Sequence, residues 1–484
     1  MNGQRSGRTA ADGMRLVRAW EPEGRQAIDR LLAKLSIREG AVSAQSREKT
    51  VAVFGEPLSP QEAVRRIVED VRRVGDEALF EYERKLAGVE LTAGTVRVPE
   101  GELRRAHREA APALLKAVRQ ARQNIETFQR RTLPQTPAPL ERAGVRLELR
   151  YVPLRRVGLY IAGGIPLPSA VLMNAVPAQV AGVEEIVVVS PCSRRGQVDD
   201  AVLAACAELG IREVYRIGGA QAVAALTFGT ASVPRVDKIV GGANIFVSLA
   251  KKEVFGLVDA GFIAGPSEVL VLADDSADAA FVAADLIGQS EHNPGSAILV
   301  TTSEEFARAV AAKVAEQVAA LPRSEDARRS LAEFGLLVVA KDMEQAAAVA
   351  NQVAPEHLQV TTRDDERVLK LVRNAGTILV GPYSPVAASD YVAGPSHVLP
   401  TGGGARFASG LTARDFVKST SVVRLTRAGL EEAADDIRTL AEAEGLAGHA
   451  RSVSVRLEAP GEVRERGEAA PRGRRSVPKT GRKT

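Results

Sequence analysis

Four of the five histidines in this 484-residue chain lie in its second half, and each stands near a carboxylate or an amide. The pairs are Gln289 with His292, Glu356 with His357, Asp390 with His397, and Glu444 with His449. Histidine has the unperturbed pKa nearest neutrality and is the commonest metal ligand in proteins. Any one pair alone is better explained as ordinary polar residues on a helix or loop. The four together predict a metal site and a proton-transfer site.

Gln289 and His292 stand three residues apart at the carboxyl end of a predicted helix over residues 277–289. Side chains with this spacing share one face of a helix. An imidazole nitrogen and an amide oxygen suit zinc, although glutamine is an uncommon zinc ligand. The pair is therefore a candidate set of metal ligands, with an ordinary helix surface as the alternative.

The pairs at 356–357 and 390–397 lie in predicted loops. Glu356 and His357 precede a strand that begins near Gln359. A neighbouring carboxylate and imidazole can provide two bases with different tasks. Asp390 and His397 flank a turn fixed by glycine and proline, which could direct both side chains into one pocket. A solvated surface turn is the alternative for both pairs.

Two segments combine a strand, a Gly-Gly pair and a helix start, although the dinucleotide fingerprint G-x-G-x-x-G is absent. They span residues 157–164 and 214–221. A helix N-terminus after such a turn can hold a pyrophosphate, and the same turn also serves as a structural element in α/β folds. Cys192 and Cys206 have no metal-ligand spacing and no histidine beside them, so we interpret both as structural.

The elements that would position these residues alternate between strand and helix. Candidate strands are short runs of Val, Ile and Leu, which are typical of strands buried on both faces. They span residues 145–151, 157–161, 186–190, 214–217, 238–240, 269–273, 297–301, 336–339 and 377–380. Helices are predicted between them and also over residues 14–38, 59–86 and 100–131. This pattern predicts an α/β fold with parallel sheets and two Rossmann-like domains.

Six segments follow from this pattern. The metal and catalytic candidates fall in a discontinuous first Rossmann-like domain, and the nucleotide turns fall mainly in the second. The segments are a disordered extension (1–13), a helical segment (14–56), the first Rossmann-like domain (57–158 and 267–411), the second (159–266), a C-terminal helical segment (412–458) and a basic disordered tail (459–484).

The net charge of +4 comes from the tail. Residues 460–484 carry eight Arg or Lys and three Asp or Glu, which leaves the rest of the chain near −1. Such a tail cannot bury enough apolar surface to order itself, and a solvated extension is favoured over nucleic-acid binding. No basic and aromatic patch recurs in the body. The polar N-terminus does not resemble a signal peptide, and no apolar run is of membrane-spanning length, so we expect a cytoplasmic protein.

Taken together, these segments resemble the histidinol dehydrogenase family over roughly residues 14–458. The matching stretches are 158–182, 218–225, 264–270, 289–292, 354–358, 389–401, 407–411 and 442–449. The resemblance implies an enzyme of histidine biosynthesis. It would oxidise L-histidinol through L-histidinal to L-histidine, with two NAD molecules and one bound zinc ion.

The resemblance also implies a role for each candidate residue. Glu356 and His357 would be the acid/base pair. Zinc would be held by Gln289, His292, Asp390 and His449. The substrate would contact Ser267, Gln289, His292, His357, Asp390, Glu444 and His449, and His397 would line the pocket or support Asp390. NAD would contact Tyr160, Gln221 and Asn244. Glu444 and His449 would come from the partner subunit, which implies a homodimer joined through residues 412–458.

The chain departs from the family pattern in three segments near the nucleotide. They are residues 241–244, a shortened loop at 163–169, and residues 260–262. These changes bear on NAD affinity more than on zinc binding. The alternatives are a related zinc- and NAD-dependent dehydrogenase of another polyol such as sulfopropanediol, a zinc hydrolase, and a scaffold without activity. Glu444 argues for an amine-bearing substrate, and the two Gly-Gly turns argue against a hydrolase.

Overall fold

The computed structural model describes residues 13–35, 50–242, 244–262, 265–292, 295–322 and 324–459. The expected N-terminal extension up to residue 12 and the basic tail from residue 460 lie outside the described residues. The chain forms two compact units. Unit 1 comprises residues 1–134 and 152–418, and unit 2 comprises residues 135–151 and 419–484. No helix among the described residues is long and apolar enough to cross a membrane.

The strands are short and most are apolar. They are β1 (Arg15–Arg18), β2 (Leu140–Arg142), β3 (Val145–Pro153), β4 (Arg156–Tyr160), β5 (Glu185–Val189), β6 (Glu213–Tyr215), β7 (Lys238–Gly241), β8 (Ser267–Ala273), β9 (Gly295–Thr301), β10 (Gly335–Val339), β11 (His357–Thr361), β12 (Thr377–Val380) and β13 (Val417–Leu425).

Helices occupy most of the connections between these strands. Those bounded within the described residues are α1 (Pro22–Leu35), α2 (Pro60–Val74), α3 (Asp76–Tyr82), α4 (Glu100–Glu109), α5 (Pro112–Thr132), α6 (Pro168–Ala181), α7 (Asp200–Glu208), α8 (Gly219–Phe228), α9 (Ile245–Glu253), α10 (Ala279–Ser290), α11 (Glu304–Val318), α12 (Ser324–Phe334), α13 (Met343–Val353), α14 (Asp365–Leu371), α15 (Val386–Tyr391), α16 (Arg427–Ala443) and α17 (Ala447–Glu458).

Unit 1 contains two parallel sheets. The first has six strands in the order β1-β10-β9-β8-β11-β12, and the second has four in the order β6-β5-β4-β7. Every pairing in both sheets is parallel. The central strand β9 is buried at every residue, as expected when helices cover both faces of a sheet. The predicted α/β fold with parallel sheets is confirmed.

Unit 2 contains the three-stranded sheet β13-β3-β2 and the helices α16 and α17. Strands β2 and β3 are antiparallel neighbours joined at the turn of Ala143 and Gly144. The nine-residue strand β13 differs from the short helices predicted after residue 411. Its sequence mixes Val with Lys, Ser, Thr and Arg, and most of its residues are exposed. It therefore lacks the long apolar run by which the other strands were identified.

The helix predicted over residues 14–38 is wrong in its first turns. Residues Leu16 and Val17 lie in β1 and pair in parallel with Leu337 and Val338 of β10. Helix α1 begins only at Pro22. Proline has no backbone N–H and fits the first turn of a helix but not its interior, so it marks the boundary that the apolar spacing concealed.

The predicted start of the helix after residue 58 is confirmed. The Ser59 side chain accepts from the N–H of Glu62, and the Glu62 carboxylate accepts from the N–H of Ser59 at 2.8 Å, which is a capping box. The helical run does not continue unbroken to residue 86. It ends at Gly75, whose φ of 61° is favourable only for glycine, and resumes as α3 and a π-helical turn over Glu83–Ala87.

The helices of residues 60–132 differ from their expected assignment to the six-stranded sheet. Their buried residues share cores with the four-stranded sheet. Val64 and Ile67 of α2 pack with Val187 and Val189, and Ile125 of α5 lies in the core that contains Val157 and Leu159. Each helix has an apolar stripe that could pack against either sheet. The expected assignment to the six-stranded sheet rested only on the position of these helices in the sequence.

The candidate residues meet the two sheets at opposite edges. Ser267 and His357 are the first residues of β8 and β11, at the amino edge of the six-stranded sheet. Tyr160 ends β4 at the carboxyl edge of the four-stranded sheet, and the turns that bear Gln221 and Asn244 follow β6 and β7 at the same edge. The two sheets therefore present two separate groups of candidate side chains.

Candidate active site

His357 is contacted at both ring nitrogens. Its Nδ1 lies 3.1 Å from the backbone carbonyl oxygen of Glu268 and 3.6 Å from Oε2 of Glu356. Its Nε2 lies 3.2 Å from Oδ1 of Asp390. A carbonyl oxygen can only accept, so Nδ1 carries a proton and Nε2 faces the Asp390 side. Only 4% of His357 and 6% of Glu356 is exposed.

The electrostatics of this group follow from burial and from charge pairing. Burial raises the pKa of Glu356 to about 7. Burial alone would lower the pKa of His357, but the carboxylates of Glu356 and Asp390 outweigh it and raise that pKa to about 9. Burial also opposes ionisation of Asp390, yet the hydrogen bond and charge of His357 keep its pKa below the usual value. The group can therefore hold and move a proton near neutral pH.

Asp390 and His397 are brought together, as the glycine-proline turn suggested. Asp390 lies in the last turn of α15, and His397 follows the turn over residues 392–396. Nδ1 of His397 lies 3.0 Å from the backbone carbonyl oxygen of Asp390. Burial lowers the pKa of His397. The contact thus holds the backbone of Asp390, whose side chain contacts His357.

Gln289 and His292 lie at and just beyond the end of α10. Gln289 is buried, and its Nε2 has no hydrogen-bond partner among the residues that the structure describes. His292 keeps an exposed surface and donates its backbone N–H to the Gln289 carbonyl. Desolvation lowers the pKa of His292, while the charge of Asp390 acts in the opposite direction. His292 is therefore close enough to Asp390 for the charge of that carboxylate to act on its pKa.

Ser267 and the residue after it also reach this group. The Ser267 side chain hydrogen-bonds the Glu356 carboxylate. Glu268 is fully buried and contacts the backbone of Glu356, yet the sequence analysis missed it. The available signal was a single carboxylate inside the apolar strand run of β8, which a solvent-facing strand position would explain equally well.

Two of the nucleotide candidates converge on one turn of the four-stranded sheet. The Tyr160 hydroxyl accepts from the N–H of Gly219 at 2.8 Å, in the turn that starts α8. Gln221 is buried in the first turn of α8. Asn244 follows the neighbouring strand β7, and its side chain caps α9 by accepting from Phe246. The turn has the expected form of strand, Gly-Gly pair and helix N-terminus.

Glu83 is a second carboxylate that the sequence analysis missed. It begins the π-helical turn and is 1% exposed. Its Oε1 accepts from the N–H of Gly218 at 2.8 Å and from Nε2 of Gln221 at 3.0 Å. Burial raises its pKa to about 7. A lone glutamate in a helical pattern reads as solvent-facing, so only the three-dimensional structure reveals this contact.

The unusual segment at residues 241–244 is held by close contacts of its first glycine. Gly241 has a φ of 80°, and a Cβ there would lie 2.3 Å from the Tyr160 carbonyl oxygen. The buried Lys251 donates from Nζ to the carbonyls of Gly241 and Phe262, at 3.0 and 3.1 Å. Two of the unusual segments are therefore tied together. Ala243, in the first of them, lies outside the described residues.

Glu444 and His449 lie in unit 2. Glu444 follows the last residue of α16, and His449 lies in the first turn of α17. Both side chains are exposed. Large apolar side chains close to them in sequence are exposed as well, with Leu440 at 65% and Leu446 at 40%. This end of unit 2 thus combines a candidate zinc ligand, His449, and a candidate substrate contact, Glu444, with exposed apolar side chains.

Within the described ranges, no group of three or more His, Cys, Asp or Glu side chains is arranged to hold a metal ion. The set expected from the sequence contains an amide, from Gln289, and one histidine from unit 2.

Comparison with known proteins gives consistent similarities. The family model described as histidinol dehydrogenase matches residues 56–457. The chain is 50% identical over 446 residues to a histidinol dehydrogenase of Rhodopirellula baltica, which covers 91% of this chain and 97% of the relative. It is 45% identical over 400 residues to a histidinol dehydrogenase of Halalkalibacterium halodurans, with 82% and 94% covered.

A solved structure is similar in fold. The crystal structure of histidinol dehydrogenase from Elizabethkingia anophelis superposes with a TM-score of 0.79 at 34% identity. The match covers 85% of this chain and 96% of that chain. The similarity in sequence and in fold therefore extends over nearly the whole described chain.

Proposed function

Since the chain belongs to the histidinol dehydrogenase family, we infer how its own residues carry out that family's reaction. The enzyme oxidises L-histidinol with NAD, through L-histidinal, to L-histidine. The alternative of another polyol is not favoured, because the relatives reported above are named for histidinol. The observation that carries the proposal is the buried contact chain of Glu356, His357 and Asp390.

His357 is the proposed base. In the deprotonated ring, Nδ1–H donates to the Glu268 carbonyl and Nε2 is free to take the proton of the substrate alcohol. Because the pKa of His357 is raised to about 9, the fraction of enzyme in this form increases as the pH rises from neutral towards 9. As that proton leaves the hydroxyl oxygen, a hydride departs from the carbon that bears the hydroxyl, and the C=O bond forms. NAD, when bound, accepts the hydride in each of the two oxidations.

Glu356 is the proposed base for the hydration that precedes the second oxidation, while His357 takes the proton in both oxidations. A pKa of about 7 lets it accept a proton near neutral pH, and it can activate a water molecule that hydrates L-histidinal. The hydrate then loses a hydride as the alcohol did. Burial of both residues excludes bulk water and keeps the reactive aldehyde bound between the two steps.

We propose one zinc ion per subunit, held by Gln289, His292 and Asp390 with His449 of the partner subunit. The side chains fit this role. Amide oxygen and nitrogen are interchangeable in assignment, so an oxygen of Gln289 can occupy the unpartnered buried position. The lowered pKa values leave His292 neutral and Asp390 ionised, as metal ligands must be. Bound zinc would supply a template that orients the imidazole and amine of histidinol.

The remaining proposed contacts complete the site. Ser267, which already bonds Glu356, would contact the substrate, as would the zinc ligands, His357 and Glu444. Glu444 would pair with the substrate amine. Tyr160, Gln221 and Asn244 would contact NAD at the carboxyl edge of the four-stranded sheet. We also propose a cytoplasmic location, which suits a biosynthetic enzyme with two free cysteines.

Glu83 is expected to support the NAD turn. Replacing it with Gln leaves one oxygen that can face both donors, Gly218 and Gln221, but removes the negative charge that strengthens both hydrogen bonds. We expect Glu83→Gln to raise the KM for NAD by about 10-fold, since a hydrogen bond to a charged group is worth roughly 1 kcal/mol more than a neutral one. The kcat at saturating NAD should change little. Steady-state kinetics with NAD as the varied substrate measures this, with exposed Glu81→Gln as the matched control.

The same variant has a pH signature. Because the pKa of Glu83 in the folded chain is raised to about 7, its stabilising contribution is present at low pH and is lost as pH rises through 7. Glu83→Gln should therefore cost less unfolding free energy at pH 8 than at pH 5. The difference is at most about 3 kcal/mol, at about 1.4 kcal/mol per pKa unit. Urea unfolding at both pH values tests this, and an equal cost at both would contradict it.

We propose a homodimer whose subunits share sites. The exposed apolar end of unit 2 beside Glu444 and His449 supports this, since such surfaces mark contacts with a partner. Mixing differently tagged His357→Asn and His449→Asn chains tests it. In a shared-site heterodimer one site combines both defects and the other has neither, so about half of the parental activity per dimer should return. A heterodimer without activity would contradict the sharing.

A further inference from the structure

Glu268 is the second residue of β8, and it is fully buried beside Val269 and Leu270. Burial raises the pKa of its carboxyl to about 8. A buried carboxyl costs several kcal/mol unless it is well paired, and apolar residues at such positions often stabilise a fold. The presence of an acid here therefore calls for a role other than packing.

Glu268 makes four hydrogen bonds, three of them to the proposed acid/base pair. Its backbone N–H donates to Oε2 of Glu356 at 2.9 Å, and its backbone carbonyl accepts from Nδ1 of His357. Its side-chain Oε2 accepts from the N–H of Glu356 at 3.3 Å. Its Oε1 accepts from the N–H of Gly402 at 2.6 Å. One residue thus contacts the side chains of both catalytic candidates and the backbone of one.

The contact with Gly402 connects this residue to a third segment. Gly402 has a φ of 60°, and it follows Thr401, whose hydroxyl accepts from the N–H of Gly265. Glu268 therefore joins the amino end of β8, the start of β11 and the turn at residues 401–402. Each carboxylate oxygen serves one backbone donor, so the arrangement needs two acceptor oxygens at one position.

We propose that the Glu268 side chain is a positioning group for proton transfer. By holding the backbone N–H groups of Glu356 and Gly402, it keeps its own backbone N–H on the Glu356 carboxylate and its own carbonyl on Nδ1 of His357. This inference rests on the proposed roles of Glu356 and His357. A glutamine at 268 has one oxygen, so it leaves either the Glu356 or the Gly402 N–H facing an NH₂ group. An aspartate keeps both oxygens but is one methylene too short to reach both donors. Both changes should displace the acid/base pair without touching substrate.

The test compares Glu268→Gln and Glu268→Asp with the parent, using L-histidinol and L-histidinal as substrates. We expect kcat to fall about 10- to 100-fold for both substrates, which is the usual cost of losing a partner that orients a reacting group. The KM values for both substrates and for NAD should stay within about twofold, and the bound zinc should be unchanged. Glu208→Gln is the matched control, because that carboxylate is also well paired but lies on α7 against Arg119 and His107.

The outcomes separate the inference from the function on which it rests. Parental kcat in either variant overturns the positioning role. A raised KM with unchanged kcat also overturns it and makes Glu268 a substrate contact. If Glu268→Gln does not fold, Glu268→Asp decides alone. If kcat falls only in proportion to the loss of folded protein, Glu268 is merely structural. We expect that result for the control Glu208→Gln. If His357→Asn were as active as the parent, the proposed function would fail instead.

Discussion

A His357→Asn variant is expected to lose about 10²- to 10⁴-fold in kcat, the range that general-base catalysis contributes. Asparagine can still donate to the Glu268 carbonyl that now binds Nδ1, but it has no basic atom to replace Nε2. Both oxidations should slow, because the buried group that accepts protons beside Asp390 is lost. Steady-state formation of NADH with L-histidinol and with L-histidinal measures the effect.

His107→Asn is the matched control for that experiment. His107 is the histidine outside the candidate pairs, and its Nε2 lies 2.7 Å from the Glu208 carboxylate on the surface of α4 and α7. Its replacement should leave kcat within about twofold of the parent, in the range of surface substitutions. A His357→Asn enzyme with parental kcat and normal zinc content would remove the base from our proposal.

Removal of the metal is expected to have a comparably large effect. Treatment with a chelator should reduce histidinol-dependent NAD reduction to the background rate, and added zinc should restore it. Loss of the ion leaves the imidazole and amine of the substrate without their proposed template. His292→Ala should behave like the chelated enzyme. Its loss of activity should exceed the roughly 10- to 100-fold loss that is usual when only a residue supporting a metal ligand is replaced.

Bound zinc per subunit, measured by elemental analysis, provides a readout independent of activity. We expect about one ion in the parent, and much less in His292→Ala and His449→Ala, since each removes a proposed ligand. Asp342→Asn, which removes only the charge of the side chain that caps α13, should retain the ion. Full activity after complete removal of zinc would contradict the metal site, while leaving the acid/base proposal intact.

The sheets of unit 1 were predictable because their strands are buried on both faces. In runs such as 269–273 and 297–301 both faces of the strand are buried, so polar and apolar residues do not alternate. Their apolar composition alone identified them as strands. Strands β1 and β13 lie at sheet edges and have a mixed composition. β1 also has an apolar spacing that suits a helix equally well. Their strand character comes from pairing with distant segments, which a local pattern cannot contain.

The candidate site was predictable where chemistry is concentrated in short motifs. Glu356 and His357 lie next to each other in sequence, and the glycine-proline turn brings Asp390 near His397. Glu83 and Glu268 were missed for one physical reason. Each is a single carboxylate whose partners are backbone N–H groups far away in sequence, 135 residues for Gly218 and 134 for Gly402. No residue close in sequence to either glutamate indicates that such a partner exists.

The backbone just before the acid/base pair has a further consequence. Ala354, which ends α13, is fully buried and adopts a left-handed conformation with a φ of 49° and a ψ of 60°. Residues with a Cβ rarely adopt that conformation, and a following proline disfavours it further. The chain therefore stores folding free energy at the turn that delivers Glu356 and His357. Position 354 is accordingly a place where glycine would relieve backbone strain in the segment that leads directly into Glu356 and His357.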